Sequence, residues 1–276
     1  MYDSFRIRGG KIILEYKVYT HETSKEWVVF LHGVGGSHLI FYKQARLFKK
    51  NMNCLFINFP GHGKSKSLDG DYSYTAIVHK VIEVLDHLQI SKCHLIGISL
   101  GTIIMNEFSR VAPERISSMI LGGAVISWKP WTDFLFKLAY TIRHLVPYML
   151  LYRIFAGILM PRRNHKYSRE FFITAATKVG QPEFIKWADL LINAQTVFTK
   201  ALDQANDIPK LYIMGAEDHV FLDGAKFAVS MESNSRLETI PQSGHVCNID
   251  QAEAFNRLSL AFINQQAQIN SNKTTA

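Results

Sequence analysis

The run KCHLIGISLGT, residues 92–102, decides the fold. Residues 92–98 are mostly apolar and predict a buried strand, and residues 99–112 carry apolar side chains at helical spacing. Ser99 therefore stands on a sharp turn from strand to helix, with Gly97 and Gly101 two residues to either side. Glycines at these positions avoid clashes with the neighbouring strand and helix. A GxSxG pattern in this context indicates a nucleophilic serine.

Strand-like and helix-like runs alternate on both sides of this turn. The strands from residue 27 onward are nearly continuous apolar runs, as expected where helices cover both faces of a parallel sheet. The pattern predicts the α/β class, with a mostly parallel, doubly wound sheet. The predicted strands are 12–19, 27–31, 53–58, 92–98, 116–122, 210–215 and 236–240, and the clearest predicted helices are 74–90, 99–112 and 249–266.

The alternation stops between residues 124 and 207, where helix signals occur without a convincing strand. We predict that residues 1–123 and 208–276 form the core and that 124–207 is an inserted helical cap or lid. The insertion holds 11 of the 31 Lys and Arg residues but only 6 of the 23 Asp and Glu residues, so it carries most of the net charge of +8.

The composition indicates a folded chain, and its net charge of +8 raises the question of nucleic acid or an acidic membrane as a partner. Hydrophobic residues make up 47% of it, which is enough to bury a sizeable core. No cluster of Lys and Arg alternates with aromatic residues, so we expect no nucleic-acid partner. The apolar stretch 134–160 is interrupted by charges and by Pro147, which predicts two amphipathic helices instead of a membrane span. Peripheral membrane contact through the basic cap is an expectation that follows.

The three cysteines, Cys54, Cys93 and Cys247, lie far apart in the sequence. No CxxC or Cys/His pair has the spacing of metal ligands, so we expect neither a disulfide framework nor a zinc site, and no cofactor. The first residues lack the apolar segment of a signal peptide. These features predict a cytoplasmic protein with reduced thiols.

A second glycine-rich turn follows the strand 27–31 and reads HGVGGS at residues 32–37. Acyl transfer needs two donors aimed at the oxyanion of the tetrahedral intermediate. The backbone N–H groups of Val34 and of Leu100, the residue after Ser99, are the natural pair. An ordinary glycine-rich turn and a phosphate-binding loop are the alternatives, and the absence of both GxGxxG and GK[ST] disfavours nucleotide binding.

Four motifs in order resemble those of the α/β-hydrolase family, of the lid-bearing esterase and lipase type (carboxylesterase or monoacylglycerol lipase). They are HGVGG at 32–36, GHGKS at 61–65, GISLG at 97–101 and SGH at 243–245, and the resemblance spans roughly residues 10–265. Together the motifs are specific for the fold and much less specific for the substrate.

The resemblance implies that a carboxylate and then a histidine follow the nucleophile along the chain. The family's acid loop corresponds to MGAED at 214–218, so Asp218 is assigned as the acid that orients the histidine. Glu217 and Asp223 are rivals, interpreted as a solvated loop charge and as a carboxylate at a helix N-terminus. His245 is assigned as the general base that takes the proton of Ser99.

The residue at the turn excludes two kinds of relative. Haloalkane dehalogenases and epoxide hydrolases of this fold have aspartate there. Proline iminopeptidases usually have HGGPG where this chain has HGVGG at 32–36. Hydrolysis of an ester, lactone, thioester or carbon–carbon bond remains. We expect a serine hydrolase that cleaves carboxylic esters, of medium or long acyl chains, without a metal. A slow-turnover ligand receptor or stress regulator on the same scaffold stays open.

The aromatic residues of the cap are the candidates for an apolar acyl pocket. The alternative is that most of them pack against the core and one another. The candidates are Trp128, Trp131, Phe134 and Tyr148, followed by Phe136, Tyr140, Tyr152 and Phe155.

Overall fold

Eight strands form a single sheet in the residues that the computed structural model describes, which are 3–5, 14–70, 72–204 and 206–274. Their order across the sheet is β1-β2-β4-β3-β5-β6-β7-β8; β1 and β2 are antiparallel to their neighbours, and the others run parallel. The strands are β1 Asp3–Phe5, β2 Tyr16–Tyr19, β3 Trp27–Leu31, β4 Asn53–Ile57, β5 Cys93–Ile98, β6 Ile116–Gly122, β7 Lys210–Gly215 and β8 Ser235–Ile240.

The predicted α/β class with a mostly parallel sheet is confirmed. Each predicted strand has a counterpart, although the first begins at Tyr16 and the predicted positions 12 and 13 lie outside the described residues. Strand β1 was not predicted, because its three residues show no apolar alternation.

Eleven α-helices accompany the sheet in the described part of the chain. The predicted helix 249–266 is divided at Gln251, and its longer part continues to Thr274. The helices are α1 Tyr42–Phe48, α2 Tyr74–His87, α3 Leu100–Val111, α4 Pro130–Ile142, α5 Tyr148–Leu159, α6 Lys166–Ala176, α7 Gln181–Leu191, α8 Gln195–Asp203, α9 Leu222–Met231, α10 Cys247–Asp250 and α11 Ala252–Thr274.

Helix α3 packs on β3, β5 and β6 and is contacted by α2 and α8; α1, α10 and α11 form a second group on the sheet, and α9 packs on β7 and β8. The central strands β3 to β7 are buried almost throughout, which is why their sequences are continuous apolar runs. Phe30 of β3 stacks on Phe56 of β4 with ring centroids 4.3 Å apart. Helix α3 is buried from Leu100 to Ser109, so the turn before it is held in a rigid frame.

Helices α4 to α8 follow one another between β6 and β7, and we call them the cap. The predicted boundaries of the insertion fall between Gly122 and Pro130 and between Asp203 and Lys210. Pro147 separates α4 from α5, as its position predicts. Glu183 of α7 is buried and accepts hydrogen bonds from Ser67 and Tyr72 of the core. None of the helices within the described ranges combines the length and the apolar character that a membrane crossing requires.

Candidate active site

Ser99 occupies a backbone conformation that L-amino acids rarely adopt, with φ 53° and ψ −116°. The turn is tight because strand β5 passes directly into α3. A Cβ atom on Gly97 would lie 2.8 Å from the carbonyl carbon of Gly101, and one on Gly101 would overlap the carbonyl oxygen of Leu31. Both positions therefore require glycine, which explains the motif in terms of space as well as conformation.

The structure brings together the three residues assigned from the sequence as nucleophile, base and acid. The Ser99 Oγ lies 3.0 Å from Nε2 of His245, and Nδ1 of His245 donates to Oδ2 of Asp218 over 2.8 Å. His245 and Asp218 are fully buried, and Ser99 is 6% exposed. The other carboxylate oxygen, Oδ1, accepts from the backbone N–H groups of Val220 and Phe221. Asp218 is thus held on both sides and can orient the imidazole.

The loops that carry Asp218 and His245 are joined to each other by backbone hydrogen bonds. They follow β7 and β8, which are adjacent parallel strands, so both side chains lie beyond the same edge of the sheet. The N–H of Glu217 donates to the carbonyl of Ser243 in the histidine loop over 2.9 Å. Phe221 packs on the imidazole of His245, with ring centroids 4.9 Å apart.

The glycine-rich turn after β3 faces Ser99, and hydrogen bonds from other parts of the protein hold its backbone polar groups. The N–H of Gly35 donates to Nε2 of His62 over 3.0 Å, and the carbonyl of Val34 accepts from the hydroxyl of Tyr152 over 2.7 Å. Tyr152 belongs to α5, so the cap takes part in holding this turn. The two predicted oxyanion donors, Val34 and Leu100, both line the cavity into which Ser99 opens.

Two buried histidines support the turn as neutral rings. Nε2 of His32 accepts from the N–H of Phe59, and Nδ1 donates to the carbonyl of Gly33. Burial lowers the pKa of His32 well below its ordinary value and lowers the pKa of His62 to about 4. Both rings can therefore accept a hydrogen bond from the backbone at neutral pH.

Ser99 opens into an apolar cavity of about 160 Å³ between the core and the cap. Arg143 is the only charged side chain in this lining of described residues. Its Nε lies 2.8 Å from Asp189, and its guanidinium lies 3.6 Å from the ring centre of Tyr140. The lining consists of Val34, Ser99, Leu100, Ile103, Val125, Trp128, Phe136, Ala139, Tyr140, Arg143, Leu151, Tyr152, Phe155, Phe184, Ala188, Leu191, Ile192, Ala194 and Phe221.

The four cap residues first proposed for substrate binding do not share one position. Trp128 lines the cavity, whereas Tyr148 lines a smaller neighbouring cleft beside the glycine-rich turn. Trp131 and Phe134 lie outside the cavity, and they are 45% and 66% exposed. The reason is the direction of α4, whose cavity face carries Phe136 and the residues at helical spacing after it.

Glu217 is not the solvated loop charge that the sequence suggested. Its side chain is 15% exposed and binds three residues of the cap segment before α6. Oε1 lies 2.7 Å from Arg162, and Oε2 accepts from His165 over 2.8 Å and from Asn164 over 2.9 Å. The pKa of the Glu217 carboxyl lies below its ordinary value. The hydrogen bond from Asn164 is the largest cause, and the hydrogen bond from His165 and the charge of Arg162 add to it. No sequence signal pointed to these partners.

Asp223, the other rival acid, lies in the first turn of α9, where it pairs with Lys129 at 3.2 Å. Its place at a helix N-terminus agrees with the interpretation from the sequence.

Within the described ranges, no group of three or more His, Cys, Asp and Glu side chains is arranged to hold a metal ion.

Comparison with known proteins gives a consistent result. A family model described as alpha/beta hydrolase fold matches residues 26–252. A 2-hydroxy-6-oxononadienedioate/2-hydroxy-6-oxononatrienedioate hydrolase of Pseudomonas putida is 26% identical, over 94% of this chain and 95% of its own.

Solved structures of similar fold include an esterase from Exiguobacterium antarcticum, with a TM-score of 0.78 and 20% identity over 91% of this chain and 96% of that one. The enol-lactonase from Burkholderia xenovorans has a TM-score of 0.76 and 16% identity, over 91% of this chain and 96% of that one. At these identities the likeness establishes the fold alone.

Proposed function

The chain belongs to the alpha/beta hydrolase fold family, and on that premise we propose that it is a serine hydrolase that cleaves carboxylic esters of apolar acids. The observation that carries the proposal is the hydrogen-bonded series Ser99, His245 and Asp218 at the wall of an apolar cavity. A nucleophile, a base within hydrogen-bond reach and a group that orients the base are what acyl transfer to serine requires.

In the first half of the reaction, Nε2 of His245 takes the proton of Ser99 as Oγ attacks the ester carbonyl. The carbonyl oxygen becomes an oxyanion, which the N–H groups of Val34 and Leu100 stabilise. His245 then gives its proton to the departing alkoxide, and the acyl group stays on Ser99. Proton transfer by a positioned base of this kind contributes roughly 10²–10⁴-fold to the rate.

In the second half, His245 takes a proton from water, and the resulting hydroxide attacks the acyl-enzyme. The tetrahedral intermediate collapses, the proton returns to Oγ of Ser99, and the carboxylic acid leaves. Asp218 keeps its charge throughout and stabilises the imidazolium that forms in both halves.

The lining of the cavity supports an apolar acyl group. A carboxylate buried in it would lose its hydration, and an unpaired buried charge is strongly unfavourable. Arg143, the charged residue of the lining, is already paired with Asp189. A dicarboxylate such as the one in the name of the Pseudomonas putida relative is therefore a poorer fit than a monoester of an apolar acid.

The proposal is tested by labelling with a fluorophosphonate and by turnover of p-nitrophenyl acetate, octanoate and a hemi-ester of octanedioic acid. We expect labelling at Ser99, with kcat/KM higher for octanoate than for the other two. Ser99→Ala should abolish labelling and lower kcat roughly 10⁴-fold or more. Ser109→Ala is the matched control, because Ser109 is also buried on α3 and donates to the carbonyl of Asn106, away from the catalytic residues.

Absence of labelling in the folded protein would refute the serine mechanism. Labelling without turnover of any ester would favour a ligand receptor on this scaffold. A strong preference for acetate or for the charged hemi-ester would contradict the apolar acyl site while leaving the mechanism in place.

A further inference from the structure

Helix α4 has a second apolar face, turned away from the cavity. Trp131, Phe134 and Leu138 follow one another at spacings of three and four residues, which places them in one stripe. They are 45%, 66% and 47% exposed. Phe136 and Tyr140, which line the cavity, lie on the opposite side of the same helix. The helix is therefore apolar on both sides, and on the outer side Trp131 stacks on His219 with ring centroids 6.2 Å apart, whereas Phe134 and Leu138 are exposed.

The next helix also has exposed apolar side chains on the side away from the cavity. Leu150 and Ile154 of α5 are 52% and 54% exposed and lie one turn apart, away from Tyr152, which is buried. Leu145, between the two helices, is 85% exposed. We call Trp131, Phe134, Leu138, Leu145, Leu150 and Ile154 the outer cap face.

The cap that carries this face is basic as a whole, since residues 124–207 hold 11 Lys and Arg residues and 6 Asp and Glu residues. Arg153 is exposed between Leu150 and Ile154 in sequence, and it has no ion-pair partner among the described residues. Lys137 is 65% exposed and pairs with Asp133 at 2.7 Å. Arg143 faces the cavity and pairs with Asp189, so Arg153 is the cation of α4 and α5 that lacks an ion-pair partner in the described part of the chain.

An apolar face on a basic cap, with the unpaired Arg153 beside it, fits an anionic lipid surface, which provides an apolar layer beneath negatively charged headgroups. A second copy of the chain fits less well, because a symmetric contact would bring two basic surfaces together. We propose that the outer cap face docks on a lipid bilayer that contains anionic lipids. The docking requires no catalytic step, so it can be tested apart from the hydrolase activity.

The test is co-sedimentation with vesicles of phosphatidylcholine, with and without 30 mol% phosphatidylglycerol. We expect binding to the anionic vesicles at low salt, which weakens as salt is added. Phe134→Ser with Leu138→Ser should lower the partition coefficient about tenfold, because both side chains lose apolar area that enters the bilayer. Arg153→Gln should lower it about fivefold.

Matched controls are available on other surfaces. Phe227 and Met231 of α9 are also four residues apart and are 50% and 52% exposed, so Phe227→Ser with Met231→Ser removes a similar area elsewhere. Lys92→Gln removes an exposed charge at the opposite end of β5 from Ser99. Both control proteins, and Ser99→Ala, should bind vesicles within twofold of the unmodified chain.

Failure of the unmodified protein to bind anionic vesicles at low salt would overturn the proposal. An equal loss of binding in the α9 control would show that the attraction is unspecific and would overturn it too. Size-exclusion chromatography tests the second copy: a dimer that Phe134→Ser with Leu138→Ser dissociates, without vesicle binding, would assign the face to self-association.

Discussion

Acidification should destabilise this fold through His62. The ring is fully buried, donates from Nδ1 to the carbonyl of Pro60 and accepts from the N–H of Gly35 at Nε2. Burial lowers its pKa from 6.5 to about 4. Protonation would also remove the acceptor for Gly35, so the glycine-rich turn beside Ser99 would lose a hydrogen bond.

The magnitude follows from the difference in proton binding. Between pH 6.5 and pH 4 the unfolded chain binds a proton at His62 that the native protein excludes, so the free energy of unfolding falls as the pH falls. A difference of about 2.5 pKa units, at about 1.4 kcal/mol for each unit, gives a loss of about 3 kcal/mol by pH 4. The stabilisation is fully present above pH 6.5.

The assay is urea unfolding at several values between pH 7.5 and pH 4, for the unmodified protein, His62→Gln and His87→Gln. Glutamine can still accept from Gly35 but does not titrate, so His62→Gln should lack about 3 kcal/mol of the acid destabilisation. His87 is exposed on α2, and its variant should follow the unmodified protein. Parallel pH profiles for His62→Gln and the unmodified chain would refute the reasoning.

Three further predictions concern neighbouring contacts. Tyr152→Phe leaves the buried carbonyl of Val34 without its donor, so we expect the free energy of unfolding in urea to fall by about 1–3 kcal/mol and fluorophosphonate labelling to slow. Gly101→Ala forces a Cβ against the carbonyl of Leu31, and a loss of more than about 4 kcal/mol should appear as a large fall in Tm. Glu217→Gln removes the ion pair with Arg162 and weakens the hydrogen bonds from the cap, which should lower kcat about fivefold by displacing the adjacent loop of Asp218, and unchanged kcat would contradict this role.

The sequence predicts the sheet and the turn at Ser99 because both depend on local requirements. A strand buried on both faces needs a continuous apolar run, and the turn needs glycine where a Cβ would overlap the backbone. The assignment of Asp218 and His245 rests on the resemblance to the α/β-hydrolase family, and the adjacent parallel strands β7 and β8 place the two loops at the same edge of the sheet.

The sequence does not predict which side chains of the cap face the cavity, because the cap helices are apolar on more than one side. Periodicity in α4 cannot tell Phe134, which faces outward, from Phe136, which lines the cavity. The contacts of Glu217 could not be predicted either, because His165 and its neighbours are about fifty residues away in sequence. Such pairs depend on the path of the whole insertion.

The cap is joined by hydrogen bonds to the turn that carries Val34 and to the loop that carries Asp218. The hydroxyl of Tyr152 donates to Val34 near Ser99, and His165 donates to Glu217 next to Asp218, so buried polar groups would lose partners if the cap separated from the core. Helices α4 and α5 are at once the wall of the cavity and the site of the outer cap face. A helix is only about 10 Å thick. An ester that partitions into a bilayer beneath this face would therefore lie about one helix diameter from the cavity of Ser99. This short distance connects the proposed docking surface with the proposed preference for apolar acyl groups.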